Sequence, residues 1–240
     1  SNCLRRTLPT RSRTSREFKG CYMINFYIDI ETIPCQSPEY KTKVRDGIKP
    51  PGNIKKPESI AQWLAENADE AASDAVAKTS FDPALGHICC ISFAVGDADP
   101  QYYEARTLDD ERHVIEGLYS NIPEMGLVRF VGHNVSGFDL RFILCRSIVL
   151  GIPIPPIFPR DIKPWSQEVF DTMIAWAGTR GTIGMDRLCE ALGLPGKGDF
   201  DGSMVAEAWS NGEYAKIAQY CLRDVETVRA IHRRFEAVGF

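Results

Sequence analysis

Two carboxylates stand two residues apart in the stretch Phe26-Tyr27-Ile28-Asp29-Ile30-Glu31-Thr32. The stretch is rich in β-branched and aromatic residues, so it reads as a strand. Side chains alternate along a strand, which sends Ile24, Phe26, Ile28 and Ile30 to one face and Asn25, Tyr27, Asp29 and Glu31 to the other. Like charges side by side on one face repel. A divalent cation is the first candidate to offset that cost. The same Asp-x-Glu pattern recurs at Asp109/Glu111 and Asp224/Glu226, but in helical sequence, where positions two apart do not share a face.

Two further acids join the pair. In Phe-Val-Gly-His-Asn-Val-Ser-Gly-Phe-Asp-Leu-Arg-Phe-Ile (130–143) a strand runs into a turn and then a helix, with Asp139 in the first helical turn. An acid there complements the helix dipole, but a strand-to-helix junction is also where α/β sites are built. In the last helical segment, 213–235, the apolar stripe Ile217, Cys221, Val228, Ile231, Phe235 is regular only if Asp224 fills its gap. A carboxylate in a core-facing stripe is costly unless paired or bound to a metal. Tyr220 lies one turn before Asp224 on the same face. Four acids converging in one cleft could not all stay ionised without cations. Oxygen donors with no accompanying Cys or clustered His point to Mg²⁺ or Mn²⁺. Two such ions about 4 Å apart support in-line phosphoryl displacement. Asp171, ending Glu168–Met173, is a candidate supporting acid or a helix N-cap.

The elements that must position these residues are legible in outline. A polar segment, about 35–87, with prolines at 38, 50, 51 and 57 and helical sequence from Glu58 to Lys78, reads as an insertion or lid. Residues 87–97 and 101–106 read as a hairpin, 108–120 as a helix, 127–133 as a strand and 138–150 as a helix. A short strand at 168–173, helices at about 184–193 and 203–209, and a long helix at about 212–237 follow. The pattern predicts an α/β fold, a mixed β-sheet flanked by helices.

The 240 residues carry a net charge of −4, and 44% are hydrophobic, the composition of an ordinary globular protein. Residues 1–22 hold six Lys/Arg and one acid, lack periodicity, and are expected to be a disordered or non-native segment ahead of a domain spanning 23–240. Without that +5 segment the charge is −9 (−4 minus 5), which argues against a non-specific nucleic-acid coat. No apolar run is long enough for a membrane span and no secretory signal is visible. The eight cysteines form no Cys-x-x-Cys pair, so a reduced, cytoplasmic protein without structural zinc is expected.

Phe-Tyr-Ile-Asp-Ile-Glu-Thr, Gly-His-Asn-Val-Ser-Gly-Phe-Asp-Leu-Arg-Phe and Tyr-Cys-Leu-Arg-Asp, in that order, resemble the three motifs of DEDD-type 3′–5′ exonucleases of the ribonuclease H-like superfamily. Tyr220 stands four before Asp224, with Gln219 rather than His before it, which resembles the tyrosine subtype. The stretch 188–205 is similar to stand-alone exonucleases related to the proofreading domain of family B DNA polymerases. The resemblance spans about 23–236. It implies a ribonuclease H-like fold and a metal-dependent exonuclease with two divalent cations, Mg²⁺ or Mn²⁺. Asp29, Glu31, Asp139 and Asp224 would be the metal ligands, with Asp29 bridging both ions and Asp139 supporting the second through water. Tyr220 would orient the attacking water. Thr32, Asn134, Phe138 and Lys197 would contact substrate, although Phe138 also fits plain core. The implied partner is the 3′ end of single-stranded nucleic acid, DNA ahead of RNA, which would lose nucleoside 5′-monophosphates; replication or repair proteins are further expected partners. The alternatives are an RNA-directed exonuclease and a non-cleaving nucleic-acid-binding module on the same fold.

Overall fold

The structure, a computed structural model, describes residues 23–163, 166–196 and 198–240. The expectation for residues 1–22 lies outside the described residues, as does Lys197. Five strands form one mixed sheet in the order β3-β2-β1-β4-β5: β1 Met23–Ile33, β2 His87–Val95, β3 Gln101–Glu104, β4 Leu127–Gly132 and β5 Val169–Asp171. β2 and β3 pair antiparallel, as the hairpin sequence predicted; β1 also pairs antiparallel with β2, whereas β4 and β5 run parallel to β1.

The alternation along β1 sorts the two faces. Phe26, Ile28 and Ile30 enter one core with α3 (Glu111–Asn121) and α4 (Asp139–Leu150). There the Phe26 ring stacks on Phe93 at 5.5 Å and meets Phe130 at 5.4 Å. Burying each such ring stabilises the fold by about 1.5–3 kcal/mol. Tyr27 points to the opposite face, into a core with α6 (Met185–Leu192) and α8 (Tyr214–Glu236). Helix α8 crosses that whole face, packing against β1, β2, β3 and β4. The stripe predicted for it is the buried one: Ile217, Cys221, Asp224, Val228, Ile231 and Phe235 are all enclosed, while Glu226 faces solvent.

The 35–87 segment holds two helices, α1 (Pro38–Gly47) and α2 (Pro57–Ala77), followed by a 3₁₀ turn, Lys78–Phe81. Helix α1 buries no residue and α2 buries only Ala68, Ala72 and Val76, so they lie on the domain rather than within its core. Two elements differ from expectation, the first being α1, which lies ahead of the helical sequence read from Glu58 to Lys78. The strand read over 168–173 stops at Asp171, and Thr172–Ala177 forms the short helix α5. The Asp171 carboxylate caps it, accepting from Met173 N and Ile174 N, and a cap ends a strand as firmly as it begins a helix. Helix α7 (Val205–Ser210) completes the set. Among the described residues no helix is long and apolar enough to cross a membrane.

Candidate active site

The site forms where β1 outruns its neighbour. The parallel pairing of β1 with β4 ends at Tyr27 and Val131, so the β1 backbone beyond that point has no strand partner on that side. Asp139 fills the gap: its Oδ1 accepts from Ile30 N at 3.1 Å. A buried N–H must be satisfied, and doing so with Asp139 seats that carboxylate beside Asp29 and Glu31. On the other side, β2 carries one extra residue opposite the Glu31–Thr32 step, a bulge at Cys89. Bulges re-aim side chains next to functional sites, and here Cys89 and Cys90 are both enclosed, with Cys89 Sγ donating to Glu31 O at 3.4 Å.

The turn carrying Asp139 is held from β5. Asp171 accepts from Asn134 N and Ser136 N, both at 3.0 Å, besides the two amides it caps. Gly132 is required where the chain leaves β4, because a Cβ would sit 2.5 Å from Val135 Cβ and 3.1 Å from Ile28 O. Asn134 adopts a left-handed φ of 60°, a conformation Asn tolerates better than most residues. Its carbonyl accepts from Gly137 N and Phe138 N to close the turn.

From the α8 face come Tyr220, Cys221 and Asp224, all buried. Tyr220 is hydrogen-bonded to Asp224, and its ring lies 5.3 Å from that of Phe200. Burial, followed by the charges of Glu31, Asp224 and Asp29, raises the Tyr220 phenol far above its ordinary value, so it stays a neutral donor. Asp29 keeps part of its surface open. Its carboxyl is nonetheless enclosed enough that desolvation, then the charges of Glu31, Asp139 and Asp224, pushes it well above the usual carboxylate range. Asp139 is pushed up to about 7, chiefly by burial, against hydrogen bonds from its own N–H and that of Ile30, with Asp171 and Asp224 adding to the rise.

The structure thus brings Asp29, Glu31, Asp139, Asp224 and Tyr220 together from one strand and two helices. The charges acting most strongly on Asp29 all have its own sign, and a set of oxygen donors with that charge suits a hard divalent cation. The sequence reading missed the thiol. Cys221 Sγ lies 3.3 Å from Asp29 Oδ2, and Asp29, Glu31 and Cys221 offer ligand atoms within 4.8 Å of one another. Burial holds that thiol well above its ordinary pKa, and its Sγ donates to Asp29 Oδ2. Its place in the apolar stripe of α8 hid it, because a stripe does not reveal which neighbour it faces.

The expected substrate contacts sort differently. Thr32 spends its hydroxyl proton on Ser80 O at 2.8 Å, tying β1 to the 3₁₀ turn. Asn134 has the structural duty described above. Phe138 is half-buried, packing on Phe142 while lining a cavity of about 620 Å³ beside Ile30, Glu31 and Thr32. That cavity is also walled by Lys78 and Phe81, which no motif marks.

Residues 81–238 match the family described as a predicted 3′–5′ exonuclease related to the exonuclease domain of PolB. The matched part includes Asp139, Tyr220 and Asp224, whereas Asp29 and Glu31 precede it. No curated protein matches the chain. Among solved structures it is similar to the family B DNA polymerase from the hyperthermophilic archaeon Pyrobaculum calidifontis, at a TM-score of 0.57 and 18% identity. The similarity covers 88% of this chain but only 24% of the polymerase, so the chain spans about a quarter of that protein's length. The mixed sheet with helices on both faces is accordingly a ribonuclease H-like fold. With the family model covering well over half of its length, the chain belongs to the predicted 3′–5′ exonucleases related to the exonuclease domain of PolB.

Proposed function

We propose that the protein is a metal-dependent 3′–5′ exonuclease of the DEDD tyrosine subtype, removing nucleoside 5′-monophosphates from single-stranded nucleic acid, with DNA the preferred substrate. The observation that carries this reading is the convergence of four carboxylates and a neutral tyrosine at one open-edged site. Asp29, Glu31, Asp139 and Asp224 would hold the cations. Bound there, a pair of Mg²⁺ or Mn²⁺ ions neutralises the clustered acids and stabilises the charge that develops on the attacking and leaving oxygens.

The remaining work belongs to the chain. Asp139 is oriented by Ile30 N, and the turn before it is fastened by Asp171. Tyr220, kept protonated and bonded to Asp224, is a donor that can orient water on the side of Glu31 and Asp224. Attack of that water on the terminal phosphorus breaks the bond to the 3′ oxygen of the penultimate nucleotide, leaving a 3′-hydroxyl and a free 5′-monophosphate. Domain 23–240 supplies all of these groups, with 35–87 as an insertion flanking the cleft; replication or repair proteins are the proposed partners.

The test uses 5′-labelled single-stranded DNA and RNA of equal sequence with Mg²⁺, Mn²⁺ or EDTA. A ladder shortening from the 3′ end, faster on DNA and abolished by EDTA and by Asp29→Ala, is the expected result. Binding of either strand with no shortening in any metal would overturn the enzyme reading in favour of a non-cleaving module.

A further inference from the structure

The 3₁₀ turn Lys78–Phe81 lies outside the three motifs, yet Lys78, Ser80 and Phe81 all line the cavity that opens beside Glu31. A volume of about 620 Å³ falls within the roughly 300–1,000 Å³ range of small-ligand sites. Two rings line it. Phe138 comes from the junction carrying Asp139, and Phe81 stands with its ring centre 6.2 Å away, tilted by 58°. The rings form a corner rather than a slot, so a planar group would stack on one and meet the edge of the other.

An exposed phenylalanine is ordinary on a protein surface. Phe81, at 72% exposure, differs in how firmly it is presented. Ser80 O accepts from Thr32 Oγ1 at 2.8 Å. Thr79 Oγ1 accepts from Cys35 N at 2.8 Å and donates to Val76 O at 2.6 Å. Beyond Phe81, Leu85 N and Gly86 N bond to Asp82 O, and Arg146 Nη1 donates to Pro83 O at 3.2 Å. Gly86 permits that tight return, since a Cβ there would sit 2.5 Å from Thr79 O. Backbone on both sides of Phe81 is therefore fastened to the sheet and to α4, and its ring lines the cavity against Phe138 while most of its surface stays open. Lys78, exposed on the same turn, adds a positive charge suited to a phosphate.

We propose that Phe81 is a base-binding residue, seating the base of the 3′-terminal nucleotide in the corner it makes with Phe138, so that the insertion rather than a motif sets how tightly an unpaired end is gripped. This rests on the exonuclease reading of the same site. Stacking tolerates any base, which suits an exonuclease that must accept each new end.

The test is binding in EDTA, where turnover cannot consume the strand. Two single-stranded oligonucleotides are compared, one ending in 2-aminopurine at its 3′ terminus and one ending in an abasic residue. Because Phe81 is so exposed, Phe81→Ala removes little buried area, and its unfolding temperature is measured alongside. The expected result is that Phe81→Ala weakens the aminopurine-ended strand about fivefold to tenfold and reduces its fluorescence quenching, leaves the abasic-ended strand unchanged, and that Phe81→Trp restores both. Equal affinity of Phe81→Ala and the native protein for the aminopurine end would overturn the proposal, as would an equal loss for both ends. A parallel incubation with Mg²⁺ separates the two claims: Phe81-dependent quenching without shortening removes the exonuclease reading and keeps the base seat, and shortening without it does the reverse.

Discussion

Asp139 couples the site to the stability of the protein. Its carboxyl is raised to about 7, so between its unfolded value near 4 and pH 7 the folded state binds the proton more tightly. The resulting stabilisation is complete below about pH 4 and disappears as the pH rises to about 7. Metal-free protein should therefore lose unfolding temperature across that window, Asp139→Asn should lose less, and added Mn²⁺ should restore the native protein at pH 7.5; calorimetry in EDTA and in Mn²⁺ reads all three. Tyr220 makes a different prediction. Its bond to Asp224 and its closeness to Glu31 give it a donor's role, so Tyr220→Phe should lower kcat about tenfold to a hundredfold with little change in KM. An equal rise in KM would mean that it grips substrate instead.

At the scale of elements, the site depends on where strands stop. Asp139 reaches β1 because β4 ends at Gly132 while β1 continues to Ile33. The turn between β4 and α4 keeps its shape through Asp171, whose four backbone donors come from that turn and from the first turn of α5. Asp171→Ala should cost about 1–2 kcal/mol in denaturant unfolding, as loss of a helix cap does, and should reduce activity beyond what that loss explains. A second fastening is buried deeper. Arg146 grips Glu111 through Nε at 2.8 Å and Nη2 at 2.7 Å, while Glu111 also accepts from Ile88 N at 2.8 Å. Removing one partner of a buried ion pair leaves the other uncompensated, so Arg146→Met should destabilise by about 3–5 kcal/mol, and Glu111→Gln in the same chain should recover part of it. Because Arg146 also holds Pro83 O, that variant should loosen the turn bearing Phe81.

For the molecule as a whole, we propose that the 35–87 segment is separable from the fold it flanks. Cys35 N and Thr79 Oγ1 meet at 2.8 Å, so the chain leaves and re-enters the domain at one point. Helices α1 and α2 bury only three small side chains between them. Replacing residues 37–77 with a short glycine linker should shift the unfolding temperature by only a few degrees, since closing a short loop is entropically cheap. A collapse of the cooperative transition would instead make α2 part of the core.

The acids, the tyrosine and the sheet were legible from sequence because they rest on local periodicity. Alternation placed Asp29 and Glu31 on one face of β1, and the 3.6-residue repeat of α8 put Tyr220 and Asp224 among its buried residues. Residues at strand ends and turns escaped, because their meaning depends on what lies across space from them. Asp171 could be read as a cap, but not as the anchor of a turn some 35 residues earlier. Cys221 read as core, and only the packing of α8 against β1 set its thiol on Asp29. Phe81 sat in a polar segment with no repeat at all, and tertiary hydrogen bonds fasten the backbone on either side of it while its ring meets Phe138. Periodicity determines which face a side chain takes within its own element; which other element meets that face is decided by packing and backbone satisfaction over the whole fold.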